Sequence, residues 1–146
     1  MTQAWRVLSE KRAQEVSKAQ VVVATCVAKK KTIEEQMEKL DELISEYSKE
    51  LFRAKKDGLA DVGASNLRRQ FIAEVQQARD GLNHENSMLE IELQVAREAL
   101  QETRLEEMKA KKMLERDQER TERNNNLQER KDFESTALNQ FNLRNI

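Results

Sequence analysis

The sequence predicts an all-α protein: two long helices in an antiparallel coiled-coil hairpin, the second helix longer and overhanging at its C-terminal end. Three observations predict it. Ala, Glu, Lys, Leu and Arg supply 76 of the 146 residues, the bias of long and coiled-coil helices. Proline is absent and glycine occurs three times, so few residues can break a helix. Apolar residues recur at alternating steps of three and four, the spacing of a heptad seam.

The first helix is expected over residues 3–57. Its stripe runs Val16, Ala19, Val23, Cys26, Lys30, Ile33, Met37, Leu40, Ile44, Tyr47, Leu51 and Ala54, with Lys30 the one charged member. Trp5 and Leu8 extend it less regularly. A loop is expected over 58–64. Arg53, Lys55 and Lys56 complement the dipole of a helix ending before Gly58. Ser65 or Asn66 is suited to cap the next helix, placed at 65–140. That helix carries Leu67, Phe71, Val75, Ala78, Leu82, Leu89, Leu93, Ala96, Leu100 and Met108. Two adjacent steps of four at Glu85, Leu89 and Leu93 predict a stutter. A short loop makes the helices neighbours, with facing residue numbers summing to about 122. Cys26 then faces Val95–Ala96, Tyr47 faces Val75, and Trp5 faces the region of Asp117. The whole chain, 1–146, reads as one elongated domain.

From about residue 117 the second helix has no partner within the chain. Residues 115–126 contain no apolar side chain. Glu119 and Arg123 are spaced for an i,i+4 pair that would hold a solvated helix. Apolar groups then return at Leu127, Phe133, Ala137, Leu138 and Phe141. An apolar tip on a polar stretch suits docking to a partner or pairing with a second copy.

The bulk numbers exclude several functions. Leu, Ile, Val and Phe total only 33, too few for a thick globular core or an enzyme's walled pocket. No apolar run is long enough to cross a bilayer, and residues 1–12 lack the apolar centre of a secretory leader. A single cysteine forms no internal disulfide and suits a reducing cytoplasm. Lys and Arg (26) nearly balance Asp and Glu (27), against nucleic-acid binding. His84 has no second ligand at i+3 or i+4, so no metal site is expected, and Cys26 reads as a buried apolar group. No glycine-rich phosphate loop occurs, no cofactor is expected, and pairs such as Glu106-Glu107 read as solvated surface. No catalytic residue is assigned.

A second stripe, Gln36, Leu40, Leu43 and Tyr47, lies rotated from the first-helix seam. Across the hairpin it meets Phe71, Val75, Ala78 and Leu82. These eight residues either widen the core or leave an exposed apolar patch of the sort that binds proteins.

Glu34-Glu35-Gln36, Leu40, Glu46-Tyr47, Leu51, a glycine-containing loop, Phe71-Ile72 and Ala78 resemble the bacterial flagellar export protein family FliJ. The ending Glu129-Arg130-Lys131-Asp132-Phe133-Glu134-Ser135-Thr136-Ala137 is similar to that family's charged C-terminal pattern, and the likeness runs nearly end to end. The resemblance implies a non-enzymatic central stalk of the flagellar type III export apparatus. It implies that Gln36, Leu40, Leu43, Tyr47, Phe71, Val75, Ala78 and Leu82 bind the cytoplasmic domain of the export gate. It implies further that the end bearing both termini enters a hexameric export ATPase, by way of Trp5, Leu8, Leu127, Arg130, Lys131, Phe133, Ala137 and Phe141. The ATPase, its regulator and substrate chaperones would be partners. The chain would be cytoplasmic, held peripherally at the inner membrane face of the flagellar base. Leu43 stands where some members have an aromatic, Leu82 where a polar ring occurs, Arg130 where Gln is common, and Ser135 where an acid is common. A stalk protein of a virulence secretion system and a generic dimerising coiled coil are the alternative readings.

Overall fold

A computed structural model of the protein describes residues 2–56, 58 and 62–145. They form two helices, α1 (Thr2–Lys56, 55 residues) and α2 (Val62–Arg144, 83 residues). The chain is the all-α antiparallel hairpin that its heptads predict, with α2 the longer. Gly58 lies just past the end of α1 with φ 67°, the left-handed conformation that stops a helix. Helix α2 begins before Ser65 and Asn66, which lie inside it rather than capping it. A lone glycine such as Gly63 lowers helix propensity by about 1 kcal/mol without forbidding the helix. The helix also runs past residue 140 to Arg144, because no glycine or proline interrupts it after Gly81.

The chain divides into two compact units, Ala19–Leu100 and Met1–Lys18 with Gln101–Ile146. In the first, Arg79 donates from Nε to Asp41 of α1, and the rings of Tyr47 and Phe71 lie 4.6 Å apart at 46°. Facing residue numbers therefore sum to about 119, not 122. The whole expected α1 stripe is buried or half-buried. On α2, Ala64 is half-buried beside the covered row of this unit, which is Ser65, Arg68, Ile72, Val75, Arg79, Leu82, Asn86, Leu89, Leu93, Ala96 and Leu100. Their steps alternate between four and three throughout, so the predicted stutter is absent. Asn86, not Glu85, occupies the seam there. Leu67, Phe71 and Ala78, expected in the seam, are exposed; Arg68, Ile72 and Arg79 hold those levels instead. The register sets Cys26 opposite Leu93 rather than Val95–Ala96, and Tyr47 opposite Ile72 rather than Val75. Cys26 is buried, as an apolar group would be.

In the other unit Thr2 Oγ1 donates to Asp117, so the facing numbers again sum to 119. Trp5 meets the level of Leu114, not Asp117. Ala110, at 4% exposure, is its best-covered residue. Met108, expected in the seam, is exposed, because the covered row runs through Thr103, Glu107, Ala110 and Leu114. Every residue from 118 to 145 is exposed. No helix among the described residues is long and apolar enough to cross a membrane.

Candidate partner surfaces

Naming the seam positions a and d places the eight loop-end candidates of the first unit. Leu40, Tyr47, Val75 and Leu82 fall at d, and Gln36, Leu43, Phe71 and Ala78 at g. In an antiparallel pair the two g rows border the same edge. The d residues are half-buried or, for Val75, buried, while all four g residues are exposed. Both readings of the stripe therefore hold, each for half the residues. The d set belongs to the core, and the g set, three apolar residues with Gln36, forms an edge resting on it. Phe71 is held there by the Tyr47 ring, so its exposed face is fixed in place. The Asp41–Arg79 pair joins position e of α1 to seam position a of α2, on the opposite edge. Its hydrogen bond, then its charge, raise the Arg79 guanidinium above its ordinary pKa. No kinked backbone or cavity is needed to build the edge; it follows from apolar residues at g.

The other candidates lie in the second unit and fall into two groups. Trp5 and Leu8 are half-buried, next to the Leu114 level of α2. Leu127, Arg130, Lys131, Phe133, Ala137 and Phe141 are fully on the surface, Phe133 being 76% exposed. Residue 127 lies 13 positions beyond Leu114, about 20 Å along α2. The structure thus brings the six tip residues together and leaves Trp5 and Leu8 apart from them. At about 100° per residue, the six occupy roughly 160° of the helix surface. Leu138, 61% exposed, shares this face and belongs with them.

The sequence reading missed a second feature of this segment. Nine basic and nine acidic residues balance between Glu102 and Asp132, but on the helix they separate. Arg116, Arg120, Arg123, Arg130 and Lys131 fall within about 100° of one another, centred on Leu127. Arg116, Arg120, Arg123 and Leu127 line one shallow hollow together with Glu119, the partner of Arg123, and Arg123, Leu127 and Arg130 line the next. Asp117, Glu122, Glu129 and Asp132 point elsewhere around the helix, while Glu119 lies at the stripe's border and Glu134 within it. Helical phase, rather than charge count, was the signal that would have found the stripe. Glu119 and Arg123 make the expected i,i+4 contact at 3.8 Å. Glu106 pairs with Lys109 at 3.2 Å as solvated surface, whereas Glu107, paired with Lys111 at 3.2 Å, is half-buried on the seam and not the solvated residue expected. Among the described residues no cluster of His, Cys, Asp or Glu is arranged to hold a metal ion.

The family model described as Flagellar FliJ protein matches residues 4–145. No curated protein and no solved structure matches the chain. The chain belongs to the flagellar FliJ protein family, and with that family it is a structural component of the flagellar type III protein export apparatus.

Proposed function

We propose that, as a member of the FliJ family, this chain is a non-catalytic coupling element between the export ATPase ring and the export gate. The single observation that carries this reading is the exposed segment 118–145 of α2. It presents a basic stripe and an apolar face with no covering side chain from α1. A helix built this way gains by entering a ring whose bore is acidic and partly apolar. The g edge of Gln36, Leu43, Phe71 and Ala78 is the surface offered to the cytoplasmic domain of the gate, resting on Leu40, Tyr47, Val75 and Leu82. The tip residues Leu127, Arg130, Lys131, Phe133, Ala137 and Phe141 are offered to the ring, with Trp5 and Leu8 bracing its approach. The ATPase regulator and substrate chaperones complete the partner set on this reading. The chain is then held at the inner membrane face through its partners.

The test is the ATPase rate of the cognate hexamer with and without the full chain. Stimulation is expected, and it should fall when Phe133 and Phe141 are both changed to Ala. For the gate, Leu43→Ala with Phe71→Ala should weaken binding of the gate's cytoplasmic domain while helicity stays unchanged. Unaltered ATPase rates and no complex with the ring would end the coupling reading.

A further inference from the structure

A groove of about 520 Å³ opens in the first unit, farther from the loop than the g edge described above. Lys29, Thr32, Ile33 and Gln36 of α1 line one side, and His84, Glu85, Met88, Leu89 and Glu92 of α2 the other. Its floor is apolar: Ile33 and Leu89 come from the seam, and Met88 from outside it. Met88 occupies heptad position c, where the pairing of α1 with α2 requires nothing apolar, and it is 49% exposed. Val95, one heptad on at the same position, is 60% exposed. A two-helix seam leaves these side chains in water, whereas a third helix laid along the edge would cover them. The rim is charged. Glu85 and Glu92 stand one heptad apart at position g, and neither enters any of the ion pairs or side-chain hydrogen bonds of the described residues. Neither carboxylate is bonded, and with one ammonium, Lys29, facing them from α1 the rim keeps a net negative charge for cations presented at helical spacing.

We propose that this groove docks an amphipathic helix of a partner protein, with its apolar stripe on Met88, Ile33 and Leu89 and Lys or Arg residues seven apart facing Glu85 and Glu92. The site shares only Gln36 with the gate edge, and the proposal does not rest on the gate reading. Docking would turn the hairpin locally into a three-helix bundle. Apolar burial would supply the affinity, and the two carboxylates would choose the partner and fix its register.

The test uses the full chain and two synthetic four-heptad helical peptides with identical Leu stripes. One carries Lys residues seven apart on one flank; the other carries Glu at those places. Titration calorimetry should show the Lys peptide binding at least about tenfold more tightly, a difference of about 1.4 kcal/mol. Glu85→Lys with Glu92→Lys should reverse the preference. Met88→Asp should abolish binding of both peptides with helicity unchanged, and Val27→Asp, at an exposed position on the opposite edge, should change nothing. Binding of neither peptide, or binding indifferent to the charge reversal, overturns the proposal. So does a concentration-dependent dimer in sedimentation that Met88→Asp dissociates, since a second copy would then be the occupant.

Discussion

Gly81 lies inside α2, exposed, with no heavy atom within 4 Å of where a Cβ would sit. It adds backbone entropy to the unfolded chain and no contact to the folded one. Gly81→Ala should therefore stabilise the protein by about 0.5–1 kcal/mol, read as a raised denaturation midpoint. Gly58 faces equally open space, yet its φ of 67° opposes any side chain. Gly58→Ala should destabilise by about 1–2 kcal/mol, so the same substitution has opposite signs at the two positions. Asn86 lies on the seam of α2. Its Oδ1 is buried without a hydrogen-bond donor, in the layer that the register gives to Ile33. Removing an unsatisfied buried polar atom relieves about 1–3 kcal/mol. Asn86→Leu should thus raise the stability measured by urea unfolding. It should also loosen the register, because a polar seam residue disfavours shifted pairings. A lower stability in this variant would show that Asn86 is satisfied in solution.

Helix α1 was legible in the sequence because its seam positions are apolar almost without a break, Lys30 apart, even though Val21, Val22, Val27 and Phe52 lie exposed off the seam. Its expected stripe is the observed one from Val16 to Ala54. Helix α2 was less legible because its apolar residues serve two purposes. Phe71 and Ala78 border the seam at g, while Arg68, Arg79 and Asn86 occupy seam positions that a search for apolar residues passes over. Long side chains such as Arg do this by laying their methylenes across the seam and keeping the charge outside. The error of three in the pairing sum came from helix ends, which sequence places least well. The eight candidate gate residues were legible as a group, but the division into covered d and exposed g residues needed the register. Arg116→Glu, Arg120→Glu and Arg123→Glu together should abolish ATPase stimulation and remove most of the salt dependence of ring binding. Exposed charge pairs farther apart than about 8–10 Å are screened at physiological ionic strength, whereas contacts made inside a ring persist until the salt is high. Changing Glu122 and Glu129, which face away from the stripe, to Gln should leave both measurements nearly as they were.

Across the whole molecule the seam changes character, and stability should change with it. In the unit spanning Ala19–Leu100, the register joins Met37 with Leu82, Ile44 with Val75, Tyr47 with Ile72, Cys26 with Leu93 and Val23 with Ala96. In the other unit it joins Thr2 with Asp117, Ser9 with Ala110, Arg12 with Glu107 and Val16 with Thr103, and only Trp5 with Leu114 brings two large apolar groups together. The charges at the Arg12–Glu107 level are satisfied on their own helices. Arg12 bonds Glu15 at 3.0 Å, and Glu107 bonds Lys111 at 3.2 Å. Separating α1 from α2 at this level therefore breaks neither ion pair and exposes little apolar surface. Local opening there should cost less than opening the apolar unit by at least about 1.4 kcal/mol, or tenfold in amide exchange. Segment 118–145 should exchange fastest of all, since a polar helix of its length is marginal without packing. Hydrogen exchange read by mass spectrometry should thus rank the three regions: slowest in 23–51 with 68–96, faster in 2–18 with 101–117, and fastest beyond 118. Equal protection of the first two would mean that polar layers hold the helices together as firmly as apolar ones. If instead the order holds, and ring binding slows exchange beyond 118 and in 101–117 while leaving 68–96 unchanged, the ordering energy of the complex is drawn from its least stable part. The g edge around Phe71 would then stay rigid whether or not the ring is occupied.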